Sequence, residues 1–225
     1  MSLEGAVASF GSAIIGAVFT FLVFQQWLSH RKAYQAAWSI GLAMFSIAAL
    51  MQGFAETYGW NAGIYKVYYF VAAPLVAVLG VGSAFLASRR GGLAFALYTS
   101  ILAAAFAWVV STATVNVAAF NLPLPAGQGF DESVRLWSPL FTVPGSLALI
   151  GIALVSYWRT RLTFNVWIGV GGIVAAASGS LATFGVTWAL YLGELIGIAL
   201  MFRGFLASRE PQPAARPTSE QVPSA

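Results

Sequence analysis

Long apolar runs alternate along this chain with short clusters of charge, glycine and proline. An apolar stretch needs about 20 residues to cross a bilayer as a helix. Cut at its charged clusters, the chain yields seven such stretches, near residues 6–28, 34–55, 65–87, 92–115, 136–158, 164–183 and 187–206. A tight turn around Gly185 separates the last two, which joined would make an apolar helix too long for one crossing. The pattern predicts an all-α, polytopic membrane protein with seven transmembrane helices.

The polar interruptions set the orientation. His30, Arg31 and Lys32 follow the first stretch, Arg89 and Arg90 the third, Arg159 and Arg161 the fifth, and Arg203 and Arg209 end the seventh. With Arg216, nine of the eleven Lys and Arg residues fall on one side, opposite Glu4, Glu56, Asp131 and Glu132. Basic loops stay in the cytoplasm, so the expected topology is N-out, C-in, multi-pass in the cell membrane. The first stretch has no basic residue ahead of it and no clear cleavage site after it, and is expected to stay in the mature protein. The longest connection, roughly 116–135, lies outside and holds the turn-formers Asn121, Pro123, Pro125, Gly127 and Gly129. Residues 1–208 form the transmembrane domain. Residues 209–225 are a Pro-rich polar tail, expected to be disordered and cytoplasmic because it cannot bury a core.

Short matches point to an internal repeat. Phe85-Leu86-Ala87-Ser88-Arg89 ends the third stretch and Phe205-Leu206-Ala207-Ser208-Arg209 the seventh. Gly11-Ser12 in the first pairs with Gly145-Ser146 in the fifth, and Trp38, Ile40 and Gly41 in the second with Trp167, Ile168 and Gly169 in the sixth. Two three-helix units, both starting outside, make a 3+1+3 bundle with parallel symmetry and the fourth helix as linker. Parallel repeats recur among transporters.

In its architecture the chain resembles the seven-helix transporters and opsins that share this N-out, C-in, 3+1+3 layout. Opsins that bind retinal use a lysine in the middle of the last helix. Here the lysines are Lys32 and Lys66, at the ends of other helices, so the resemblance implies no retinal Schiff base. Carriers of this layout often show a Pro-Gln pair, and Gln25-Gln26 lacks the proline.

Composition narrows the chemistry. With 59% hydrophobic and 8% charged residues the main solvent is lipid, and the basic excess marks topology, not a nucleic-acid surface. No cysteine is present, which excludes disulfides, thiolate metal sites and cysteine nucleophiles. His30 is the sole histidine and lies beside Arg31, so bis-histidine haem and histidine-rich zinc sites are excluded. There is no G-x-S-x-G elbow and no phosphate-binding loop. Neither an enzyme nor a cofactor or metal is expected.

Candidate binding or ion-coupling residues gather in the outer half. Glu194 lies about two turns inside the last stretch, where a carboxyl must face protein or water and can serve a proton relay. Thr187, Tyr191, Glu194 and Ile198 share one helical face. Gln52 and Glu56 are one turn apart on the second helix. Tyr65, Lys66, Tyr68 and Tyr69 open the third, with Tyr65 and Tyr69 on one face and Lys66 placed to pair with Glu56 or Glu194. Pro139 and Pro144 in the fifth stretch remove backbone donors, and Pro74 interrupts the third, so all three are candidate hinges beside a cavity. The small-residue face of the sixth stretch, Gly169, Gly171, Gly172, Ala175 and Gly179 among it, suits close helix packing.

The leading expectation is a transporter of a small solute, or one linked to protons, with an outward-facing polar vestibule and Glu194 as its binding or coupling acid. A membrane receptor signalling through a cytoplasmic partner and a structural membrane subunit are the alternatives. Besides the lipid bilayer, the expected partners are a small solute or proton and either further copies of the chain or a cytoplasmic protein, with no nucleic acid.

Overall fold

The structure, a computed structural model, describes residues 3–121, 128–183 and 186–209. Its elements are α1 (Leu3–His30), α2 (Ala33–Tyr58), α3 (Ala62–Ala87), α4 (Arg89–Thr112), α5 (Glu132–Arg135), α6 (Trp137–Thr160), α7 (Phe164–Thr183) and α8 (Thr187–Ala207). All seven apolar stretches are helical, and no strand occurs among the described residues. The connection before α5 holds one 3-10 turn, Val117–Asn121, and the part holding Pro123, Pro125 and Gly127 lies outside the described residues, as does the tail from 210.

Local chemistry sets the helix ends. Asn61 and Ser88 cap α3 and α4, their side-chain oxygens accepting from the backbone N–H groups of Ile64 and Gly91, both at 2.9 Å. Gly59 closes α2 at φ +90°, a backbone region that residues with a Cβ avoid. Arg31 and Arg161 are the non-glycine residues with left-handed backbone among those described. They follow α1 and α6, and each N–H bonds a carbonyl of the last turn at 2.7 Å, Trp27 for Arg31 and Tyr157 for Arg161.

Six helices close a ring in the order α1, α2, α3, α6, α7, α8, and α8 returns to α1. The fourth helix packs outside this ring, chiefly against α3. Close backbone approach fixes two of the seams. A Cβ on Gly145 of α6 would lie 2.6 Å from the Ala77 nitrogen of α3, and one on Gly171 of α7 would lie 2.6 Å from the Gly197 oxygen of α8. Between α2 and α3 the Trp38 indole occupies the space over Gly82 and donates to the Leu79 carbonyl at 3.1 Å.

The outside of the bundle is apolar. Ile14, Phe21, Ile40, Leu97, Ile101, Leu147, Val155 and Leu192 are among many large hydrophobic residues left exposed. Water-soluble monomers seldom expose apolar surface on that scale, whereas a lipid-facing surface requires it. Among the described residues six helices are long and apolar enough to cross a membrane: α1, α2, α3, α4, α5 with α6, and α8. The described apolar part of α7, Phe164–Gly179, is shorter. The chain is an all-helical membrane protein.

Candidate functional site

Successive helices run in alternating directions, which gives the bundle two chemically distinct ends. One carries Arg31, Lys32, Arg89, Arg90, Arg159, Arg161 and Arg209; the other carries Glu4, Glu56, Asp131 and Glu132 with the two bases Lys66 and Arg135.

Near the acidic end α2, α3 and α8 bring polar groups together inside the ring. The Tyr191 hydroxyl of α8 donates to the Glu56 carboxylate of α2 at 2.5 Å. Glu194 lies one turn further along α8 and is half-buried, within electrostatic reach of Tyr68 of α3. Gln52 sits one turn from Glu56 and is buried. From α1, Ser9 is fully buried and its hydroxyl has no partner among the described residues. Ser9 stands at the same height as the cluster, because neighbouring Phe10 packs on Gly53 and Gly11 meets Leu195. Two carboxyls, a carboxamide, two phenols and a serine are thus concentrated in one layer.

The remaining sequence candidates take other places. Tyr65 and Tyr69 do share a face, with stacked rings 6.4 Å apart, but it turns away from α8. Both belong to an aromatic core with Phe106, Phe130 and Phe141, and Tyr65 also accepts from the Gly129 N–H at 2.9 Å. The α3 tyrosine within electrostatic reach of Glu194 is Tyr68. Lys66 reaches neither Glu56 nor Glu194 with a described bond and donates to the Ser111 carbonyl at 2.9 Å, closing the C-terminal turn of α4. The Thr187 side chain lies outside the described residues, and Ile198 is buried in apolar packing.

The prolines differ among themselves. Pro139 stands in the first turn of α6, after a break at Leu136, where a missing N–H costs little. Pro74 and Pro144 are inside α3 and α6. They flank the seam between those helices, since Gly145 touches Val76 and Ala77.

A cavity of about 1080 Å³ opens at the basic end, opposite to the end at which the sequence suggests a vestibule. All six ring helices line it and α4 does not. Its deep wall is apolar: Phe19, Leu42, Leu79, Leu149 and Met201. These residues belong to a packed cluster with Val23 and Ile198, which stands between the cavity and the Glu194 layer. About one turn from the mouth are Gln35 of α2 and Asn165 of α7, both buried, and at the mouth His30, Lys32 and Arg209. Gln35 escaped the sequence reading. In the sequence it is an ordinary polar residue in a first turn beside a basic cluster, and only its burial distinguishes it.

No family model, no curated protein and no solved structure matches the chain, so the site is interpreted from its own geometry.

Proposed function

We propose that this protein is a proton-linked transporter of a small solute, spanning the cell membrane seven times with its N-terminus outside. The supporting observation is the stacking, inside one six-helix ring, of three layers: carboxyls at the acidic end, an apolar girdle and a cavity at the basic end. The cavity is one aqueous approach, and the carboxyl layer beyond the girdle is where the second would open, as alternating access requires. In this conformation the cavity faces the cytoplasm, since the basic end is the cytoplasmic one. Glu194 is the coupling acid, because an ionisable group inside a membrane bundle serves by default in ion or proton movement. Glu56 and Tyr191 form the outer gate.

The ring also supports the repeat. Exchanging α1, α2 and α3 with α6, α7 and α8 maps every neighbouring pair of the ring onto another, including the two joints between the halves. Arg31 and Arg161 end the first helix of each half in the same backbone conformation. The halves therefore rock about the seam held by Pro74 and Pro144, with one entrance closing as the other opens.

In liposomes, Glu194→Gln should abolish solute accumulation driven by a pH gradient while solute exchange at equal pH persists. Wild-type accumulation by the variant would refute the role of Glu194, and the absence of any flux from wild type across a broad solute panel would refute transport.

A further inference from the structure

The cavity at the basic end has a definite chemical order. Along α2 the residues pass from Lys32 at the mouth to Gln35, then Trp38 and Leu42, about 1.5 Å deeper per residue. Running the opposite way, α8 passes from Met201 through Phe205 to Arg209. Charge, then carboxamide, then hydrocarbon is therefore a layering of the chamber itself.

The carboxamide layer is built from equivalent positions. After the left-handed Arg31 the chain reads Lys32, Ala33, Tyr34, Gln35; after the left-handed Arg161 it reads Leu162, Thr163, Phe164, Asn165. The Gln35 N–H bonds the Lys32 carbonyl at 3.1 Å and the Asn165 N–H bonds the Leu162 carbonyl at 3.2 Å. Two helix starts of the same form thus deliver one carboxamide each to opposite halves of the cavity wall. Gln35 is 4% exposed, and its Oε1 has no hydrogen-bond donor among the described residues. A buried acceptor without a donor is costly, and native proteins keep few of them. Gln35 lines the wall of an open chamber, and a turn of its carboxamide presents that acceptor to something that enters.

Among the described residues no Asp or Glu lines the cavity, and its rim carries Lys32 and Arg209. We propose that this cavity binds organic anions with an apolar body, a hydroxyl or N–H donor next to it, and a terminal carboxylate or phosphate. The apolar body rests on the deep wall, the donor bonds Gln35, and the anion meets Lys32 and Arg209 at the rim. This deepens the transporter reading by naming the class of solute held in its inward-facing chamber.

The test is calorimetric titration of the full chain in phosphatidylcholine nanodiscs with phenyllactate, hydrocinnamate, which lacks the hydroxyl, and phenylalaninol, a cation of similar size with a hydroxymethyl in place of the carboxylate. Phenyllactate should bind about fivefold or more tighter than hydrocinnamate, the worth of one hydrogen bond, and phenylalaninol should not bind. Gln35→Leu should erase the preference between the two acids without lowering the melting temperature. Lys32→Gln with Arg209→Gln should weaken both acids and flatten their salt dependence. Equal binding of phenylalaninol, no binding of either acid, or an undiminished preference in Gln35→Leu would overturn the proposal. Displacement of phenyllactate by lysophosphatidate would assign the natural anion to the bilayer, and its failure to displace would assign it to the aqueous phase; the site stands in both cases. Binding of the acids without flux of any solute would refute the transporter and leave the site, whereas flux of other solutes without binding of these acids would refute the site alone.

Discussion

The Tyr98 hydroxyl of α4 donates at 2.8 Å to the carbonyl of Leu140 in α6, the acceptor that Pro144 leaves without its helical partner. In an unbroken helix residue 144 would supply that N–H, and proline has none. A carbonyl facing lipid needs another donor, and the neighbouring helix provides it. The bond also ties α4 to α6, beside its main packing on α3.

Tyr98→Phe should therefore destabilise the protein by about 1–3 kcal/mol, the cost of an orphaned acceptor. In a Pro144→Ala background, where the helix satisfies Leu140 itself, the same substitution should cost little. Thermal unfolding of the two single variants and the double variant in detergent measures the coupling, and additivity would show that the two groups do not compensate.

A second prediction concerns the bond from Tyr191 to Glu56. Hydrogen bonds to charged groups contribute about 1.5–3 kcal/mol, and Tyr191→Phe should lower the unfolding free energy by an amount in that range. Because the bond joins α8 to α2 at the acidic end, the variant should also raise the accessibility there of a cysteine placed at position 52, labelled from outside in proteoliposomes. Unchanged labelling would mean that this bond does not hold the end shut.

The tight seam gives a third. Gly145→Val puts methyl groups where the Val76 carbonyl and the Ala77 nitrogen already lie 2.6 Å from a Cβ position, so α3 and α6 must separate. The expected result is loss of the monodisperse peak in size-exclusion chromatography. By contrast Gly151→Val, at a glycine whose Cβ would meet nothing within 4 Å, should be tolerated.

The helices were legible in the sequence because a bilayer demands apolar length, and caps such as Asn61 and Ser88 end them chemically. Orientations were not. Tyr65, Tyr68 and Tyr69 span little more than one turn, and periodicity alone cannot say which of them faces α8 until the neighbours of α3 are known. The choice of Tyr65 and Tyr69 followed their shared face, which the aromatic core at Phe106 and Phe130 takes instead. Lys66 had two acids within plausible reach, yet an exposed helix end at Ser111 captured it. Glu56 and Glu194 were readable because charge inside lipid is conspicuous. Gln35 was not, since neutral amides near a membrane surface are common and only packing reveals that one is enclosed.

The position of α4 outside the ring bears on how such a molecule is assembled. A unit of three crossings begins and ends on opposite faces of the membrane, so a second unit joined directly to it would be inserted upside down. One added crossing restores the first orientation, and in the proposed seven-crossing topology α4 supplies it while lining no part of the chamber. Two separate three-helix chains, inserted the same way, would close the same ring with no α4 at all. On the proposed repeat, α4 would be a tether that makes a pair of half-molecules into a single polypeptide and keeps their stoichiometry fixed.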